Sequence, residues 1–138
     1  MKKSIFLRLA MAALLLLSAS VNVQADTLRK GGSIVGKIEN NGDVRLNGSI
    51  VGRFENNGDI RVNGSIEGRI ENNGDIRKRG SIIGRVESNG DIRLNGSIIG
   101  KVENNGDIRY KGSIIGKAEQ MTDRRRVAVM YFFGFFKM

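Results

Sequence analysis

The chain has 138 residues and contains no Cys, His, Trp or Pro. That length suits one small domain, and the composition excludes disulfides, thiolate chemistry and nucleophile–histidine pairs. The formal net charge is +9, but the cations interleave with Asp and Glu instead of gathering with aromatics, which argues against a nucleic-acid groove.

Residues 1–25 read as a cleaved export signal. Lys2, Lys3 and Arg8 form a basic start, Leu9 to Leu17 an apolar run, and Val23-Gln24-Ala25 a small-x-small cleavage site before Asp26. The apolar run falls short of the roughly 20 residues that a membrane span needs. The expected location is therefore the periplasm or the exterior.

Residues 26–127 form a repeat domain with a 16-residue period. Gly32, Gly48, Gly64, Gly80, Gly96 and Gly112 each open a copy of G-S-I-x-G-[KR]-h-E-N-N-G-D-I-R-x-N, where h is apolar. Short Ile/Val/Arg runs alternate with turn letters, and no helical spacing appears beyond the signal, so the domain is all-β. Within a copy the apolar residues sit at odd positions and the charges at positions 6, 8, 12 and 14. A strand alternates faces, so the odd set lines the core and the even set meets water.

Parity fixes the loops. N-N-G reads as a three-residue hairpin connection with Gly in the left-handed place, which pairs Ile38 with Val44 and Ile70 with Ile76. N-G-S read the same way pairs Leu46 with Ile50 and sets Asp43 against Arg53. Repeated antiparallel β-hairpins and a β-solenoid both satisfy the pattern. Stacked coils would align Glu39, Glu55 and Glu71 in one column of like charge, which favours the hairpins. The recurring inward Gly at position 5, from Gly36 to Gly116, predicts strands crowding toward an axis.

Two copies deviate. Glu67 replaces an aliphatic residue and in this register faces Arg61. Lys78 replaces another on the core face, giving a basic spot at Arg77, Lys78 and Arg79 that could contact an anionic ligand. The last copy decays at Gln120-Met121-Thr122, and Arg124-Arg125-Arg126 precede an apolar stretch. Residues 128–138 are expected to form a final strand that caps the open end of the core. The other reading is a membrane-surface contact through Tyr131, Phe132, Phe133, Phe135 and Phe136.

Equal repeats offer many equal sites and no unique constellation, which points to a non-catalytic structural or binding module of the cell envelope. The partner would be an envelope protein, a glycan or another anion. A carboxylate-pair glycosidase is chemically possible, but nearly every acid recurs at a repeat position. Oxygen-rich E-N-N-G-D loops are read as turn chemistry rather than a metal site, and no cofactor is implied.

The G-S-I-x-G and G-D-I-R repeats, the signal and the Tyr131-Phe132-Phe133 tail together resemble the five-fold beta-flower proteins of Bacteroidota. That resemblance spans nearly all of the chain after residue 25. It implies hairpins around a pseudo-five-fold axis and no established activity. The five intact E-[NS]-N-G-D loops lie at 39–43, 55–59, 71–75, 87–91 and 103–107.

Overall fold

A computed structural model describes residues 25–138; the signal segment, Ala25 apart, lies outside the described residues. Strands β1 (Asp26–Lys30), β2 (Ser33–Ile38), β3 (Asp43–Leu46), β4 (Ser49–Phe54), β5 (Asp59–Val62) and β6 (Ser65–Ile70) are followed by six more. These are β7 (Asp75–Lys78), β8 (Ser81–Val86), β9 (Asp91–Leu94), β10 (Ser97–Val102), β11 (Asp107–Tyr110) and β12 (Ser113–Ala118). Each strand pairs antiparallel with its chain neighbours, and β1 closes on β12 to complete a barrel. Antiparallel closure excludes the solenoid. The twelve strands make six hairpins about the axis. The five intact E-[NS]-N-G-D loops fill five places at one end, and the seam between β1 and β12 fills the sixth.

The N-N-G loops fold as the parity argument requires. In the first, Glu39 N–H donates to the Asp43 carbonyl at 2.7 Å, and Gly42 N–H to the Glu39 carbonyl at 2.9 Å. Gly42 has φ 98°, a conformation that a side chain would strain. Ile38 pairs with Val44 and Ile70 with Ile76.

The opposite connections differ from the expectation. Leu46 pairs with Ser49, not Ile50, so Asn47-Gly48 alone makes the turn, with φ of 51° and 83°. Positive φ at both central residues is the turn whose twist matches paired strands, and Asn-Gly is its preferred sequence. Arg79 and Lys111 adopt the same conformation at φ 50° and 49° without Asn's advantage. The two-residue turn puts the register one residue out, and a bulge corrects it: Arg45 pairs with Ile50 while Val44 pairs with Gly52. The Asp43–Arg53 pairing thus stands, at 2.8 Å between side chains. The bulge also turns the position-3 isoleucines outward, against the simple odd-inside rule. Glu67, expected against Arg61, sits at a bulge and binds Arg79 instead at 2.9 Å.

Inside the barrel, position 13 gives a fully buried ring that runs from Leu28 through Val44, Ile60, Ile76 and Ile92 to Ile108. Position 7 gives a second ring, Ile38, Phe54, Val86, Val102 and Ala118 among it. Outside, the wall is a lattice of ion pairs. Arg77 binds Glu71 at 2.6 Å and Arg85 binds Asp75 at 3.0 Å, and equivalent pairs recur around the barrel.

The tail is a helix, not a capping strand. Helix α1 (Arg124–Phe132) starts at Asp123, whose carboxylate accepts from the Arg125 and Arg126 N–H groups at 3.0 and 3.2 Å. Val127, Ala128, Val129 and Met130 are all buried in succession, the mark of a helix enclosed on every side. Its arginines meet the N-N-G loops and its aromatics meet the far end, so α1 threads the lumen. At 1.5 Å per residue it covers about 14 Å of a wall whose longest strands reach about 20 Å. The remaining residues spread outward below it. A Cβ built on Gly116 would strike Tyr131, and one on Gly100, Gly84, Gly68 or Gly52 would strike Phe132, Phe133, Phe135 or Phe136 in turn. Five inward glycines thus seat five aromatic rings. The rings that the alternative membrane-surface reading would expose are turned against the barrel's own wall, with Phe133, Phe135 and Phe136 at most 7% exposed.

Two contacts lock the seam. Buried Asp26 accepts from the Gln120 and Thr122 N–H groups at 2.9 and 3.1 Å, holding the chain as it turns toward α1. The Tyr131 hydroxyl donates to the Arg29 carbonyl at 2.6 Å. Burial, reinforced by the negative charge of Asp26, pushes that hydroxyl well above the ordinary phenol range. In the unfolded chain it would ionise near pH ~10. A raised native value adds stability below that pH and loses it as pH rises further. Chemical denaturation from pH 8 to 11 is therefore expected to show a steeper alkaline loss in the natural protein than in Tyr131→Phe. Parallel slopes would contradict it.

Candidate functional site at the loop end

The repeat builds a crown at one end of the barrel. In each intact loop the second Asn is committed to structure: the Asn73 Oδ1 accepts from the Asp75 N–H at 2.9 Å, and Asn41, Asn57, Asn89 and Asn105 do the same. The first loop residue (Asn40, Asn56, Asn72, Ser88 or Asn104) stands exposed beside it. The crown therefore presents a ring of amides and one hydroxyl, each on a rigid turn.

The centre of the crown is filled by the start of α1. Arg124 donates to the Ser88 carbonyl at 2.8 Å and to the Asn104 side chain. Arg125 donates to the Asn72 carbonyl at 3.1 Å. Arg126 lies over the Phe54 ring, 5.5 Å from its centroid, and reaches Asp123 at 3.5 Å. Three cations in the first turn oppose the helix dipole by about 0.3–1 kcal/mol each. The loop carbonyls offset that cost and fan the side chains into the gaps between hairpins. Arg124 Nε is buried with no hydrogen-bond partner.

Between these groups lies a cleft of about 460 Å³, lined by Asn72, Asn73, Glu87, Ser88, Thr122, Arg124, Arg125 and the α1-capping carboxylate of Asp123. A smaller hollow of about 90 Å³ adjoins it beside Asn56, Arg125 and Arg126. Guanidinium forks and amides on fixed supports suit carboxylate, sulfate or phosphate groups carried on a polyol. The loop carboxylates do not compete for that role, because Glu55, Glu71, Glu87 and Glu103 are each held by an Arg. Among the described residues, no group of three acidic side chains gathers where it could hold a metal ion.

No family model, curated protein or solved structure matches the chain.

Of the basic spot expected at Arg77, Lys78 and Arg79, Lys78 and Arg79 share one hollow and Arg77 lies apart from it. Strand alternation sends Arg77 to the outer wall, where it binds Glu71 at 2.6 Å and the Gly80 carbonyl at 3.0 Å. Lys78 turns inward at the opposite end of the barrel from the crown, over the Phe135 ring at 5.1 Å and 3.4 Å from the Gly134 carbonyl. Arg79 occupies the turn and pairs with Glu67. Lys78 and Arg79 border a hollow of about 380 Å³ with Phe135 as its floor, but both cations are engaged. The arginines of α1 were visible in sequence as a basic run where the repeat decays. Their convergence with distant loops was not.

Proposed function

We propose that the protein is an exported, non-catalytic binding module of the cell envelope, and that its loop end takes an acidic saccharide. The supporting observation is the cleft where Arg124 and Arg125 meet the exposed amides of the crown. Export rests on the signal-like residues 1–25. The non-catalytic reading rests on the even repetition of the acids and their engagement in ion pairs. Hairpins set about one axis support kinship with the beta-flower proteins, with six hairpins here as the point of difference. An aqueous setting fits the wall better than a spanning one, since its outward face carries Arg–Glu pairs and its strands are short. A transmembrane strand needs about 9–11 residues.

A glycan array probed with residues 26–138 tests the reading. Sulfated or uronic-acid glycans should bind, and neutral ones should not. Arg125→Ala should weaken binding at least about tenfold, as loss of a charge-assisted bond implies. Because Arg125 also holds a loop, Asn72→Asp is the companion variant: it sets a negative charge at the cleft and leaves the backbone contacts alone. Binding by both variants as tight as by the natural protein, or preference for neutral glycans, would refute the site. Turnover of a chromogenic glycoside that disappears with one carboxylate substitution would refute the non-catalytic assignment.

A further inference from the structure

The bulge in each hairpin has an outward product. Ile34, Ile50, Ile66, Ile82, Ile98 and Ile114 are 51–60% exposed, one per hairpin at the same height. Beside each sits a half-buried shoulder of Val35, Val51, Ile83, Ile99 or Ile115, with Glu67 in the remaining place. The surface repeats in detail. A hollow of about 290 Å³ is lined by Ile34, Val35, Lys37 and Arg45, and one of about 310 Å³ by Ile98, Ile99, Lys101 and Arg109. These residues are equivalent, four repeats apart. The barrel therefore wears an apolar belt whose faces look out in six directions.

We propose that this belt is the contact by which copies of the chain pack side by side, wall against wall, into a sheet. A single foreign partner would need one such face, whereas a neighbour identical to the barrel meets it on every side. The charges agree. Next to the belt, Arg45, Arg61, Arg77, Arg93 and Arg109 are each bound to a Glu, so two walls meet without like-charge repulsion. Most cations without a carboxylate partner among the described residues lie at the ends, Arg124 and Arg125 at the crown and Lys30, Lys78, Lys111 and Lys137 at the other; Lys37, beside Ile34 and Val35, is the one on the wall. Stacking end to end would oppose them. One face offers an isoleucine and its shoulder from one or two hairpins, well short of the roughly 1,200–2,000 Å² of a standard interface. Each contact is thus weak alone and gains by number, as in any multivalent array.

Sedimentation of residues 26–138 across micromolar to millimolar concentration provides the test, with electron microscopy of the concentrated sample. The expected result is reversible mass increase and flat sheets. Ile50 and Ile98 lie three repeats apart, on opposite faces. Ile50→Lys with Ile98→Lys should weaken association by about tenfold or more, and Ile50→Ser with Ile98→Ser should also weaken it. Both sites are more than half exposed, so melting temperature should hold, which separates lost contact from lost fold. A natural protein that stays monomeric throughout would overturn the proposal. Association indifferent to both double variants would do the same, as would a monomer that instead binds phosphatidylglycerol vesicles through these isoleucines. None of these readouts involves the crown, so the saccharide assignment stands or falls separately.

Discussion

A chain stopped after Asp123 is expected to lose cooperative melting altogether. The deletion removes Val127, Val129, Met130, Phe133, Phe135 and Phe136, all buried against the inner rings. Truncating one buried Phe to Ala costs about 3–5 kcal/mol. A domain of this size has only about 5–15 kcal/mol in total. Three such rings and the helix side chains together exceed that margin. The wall cannot recover it by collapse, because hydrogen bonds around a closed circuit fix its circumference. Circular dichroism should show a broad, non-cooperative transition and increased dye binding to exposed apolar surface. Phe133→Ala alone should remain folded and lose about 3–5 kcal/mol in chemical denaturation. A stopped chain melting as sharply as the full one would show that the wall stands by itself and that α1 is an accessory.

The same plug shows where the sequence is readable and where it is not. Turn letters and alternation disclose the hairpins because they act locally: Gly42 needs its left-handed φ whatever the remote contacts. Cross-strand pairs such as Ile38–Val44 follow from that register. The Asn47-Gly48 turn misleads because two readings share the same outer pairing, and only the bulge distinguishes them. The helix is hidden for a different reason. Helical periodicity arises when one side of a helix meets water, and Val127 to Met130 meet none. Val, Tyr and Phe favour strands by propensity, yet in the lumen the enclosing wall decides. Closure at six hairpins rather than another number is equally remote from local signals. It depends on what fits inside, and the five tail aromatics match five inward glycines.

That match makes a graded prediction. Gly84→Ala should destabilise severely, because its Cβ would stand 2.2 Å from the Arg93 carbonyl oxygen and 2.5 Å from Phe133 Cε1. Overpacking a tight core costs about 1–3 kcal/mol or more, and here one obstacle is backbone in a neighbouring strand. Gly36→Ala should cost least of the set. It meets no ring, only the Leu46 Cδ2 at 2.6 Å and the Arg45 carbonyl at 2.8 Å, and a leucine end can rotate away. Combining Gly84→Ala with Phe133→Ala separates the two obstacles. If the ring alone were responsible, the double variant would equal Phe133→Ala. Because the Arg93 carbonyl remains, the double variant should be less stable than Phe133→Ala by at least about 1 kcal/mol. Denaturant midpoints of the four proteins suffice to measure it. Equal losses at Gly36 and Gly84 would mean that position 5 is glycine for the strands alone, with the aromatic seats a by-product of the same spacing.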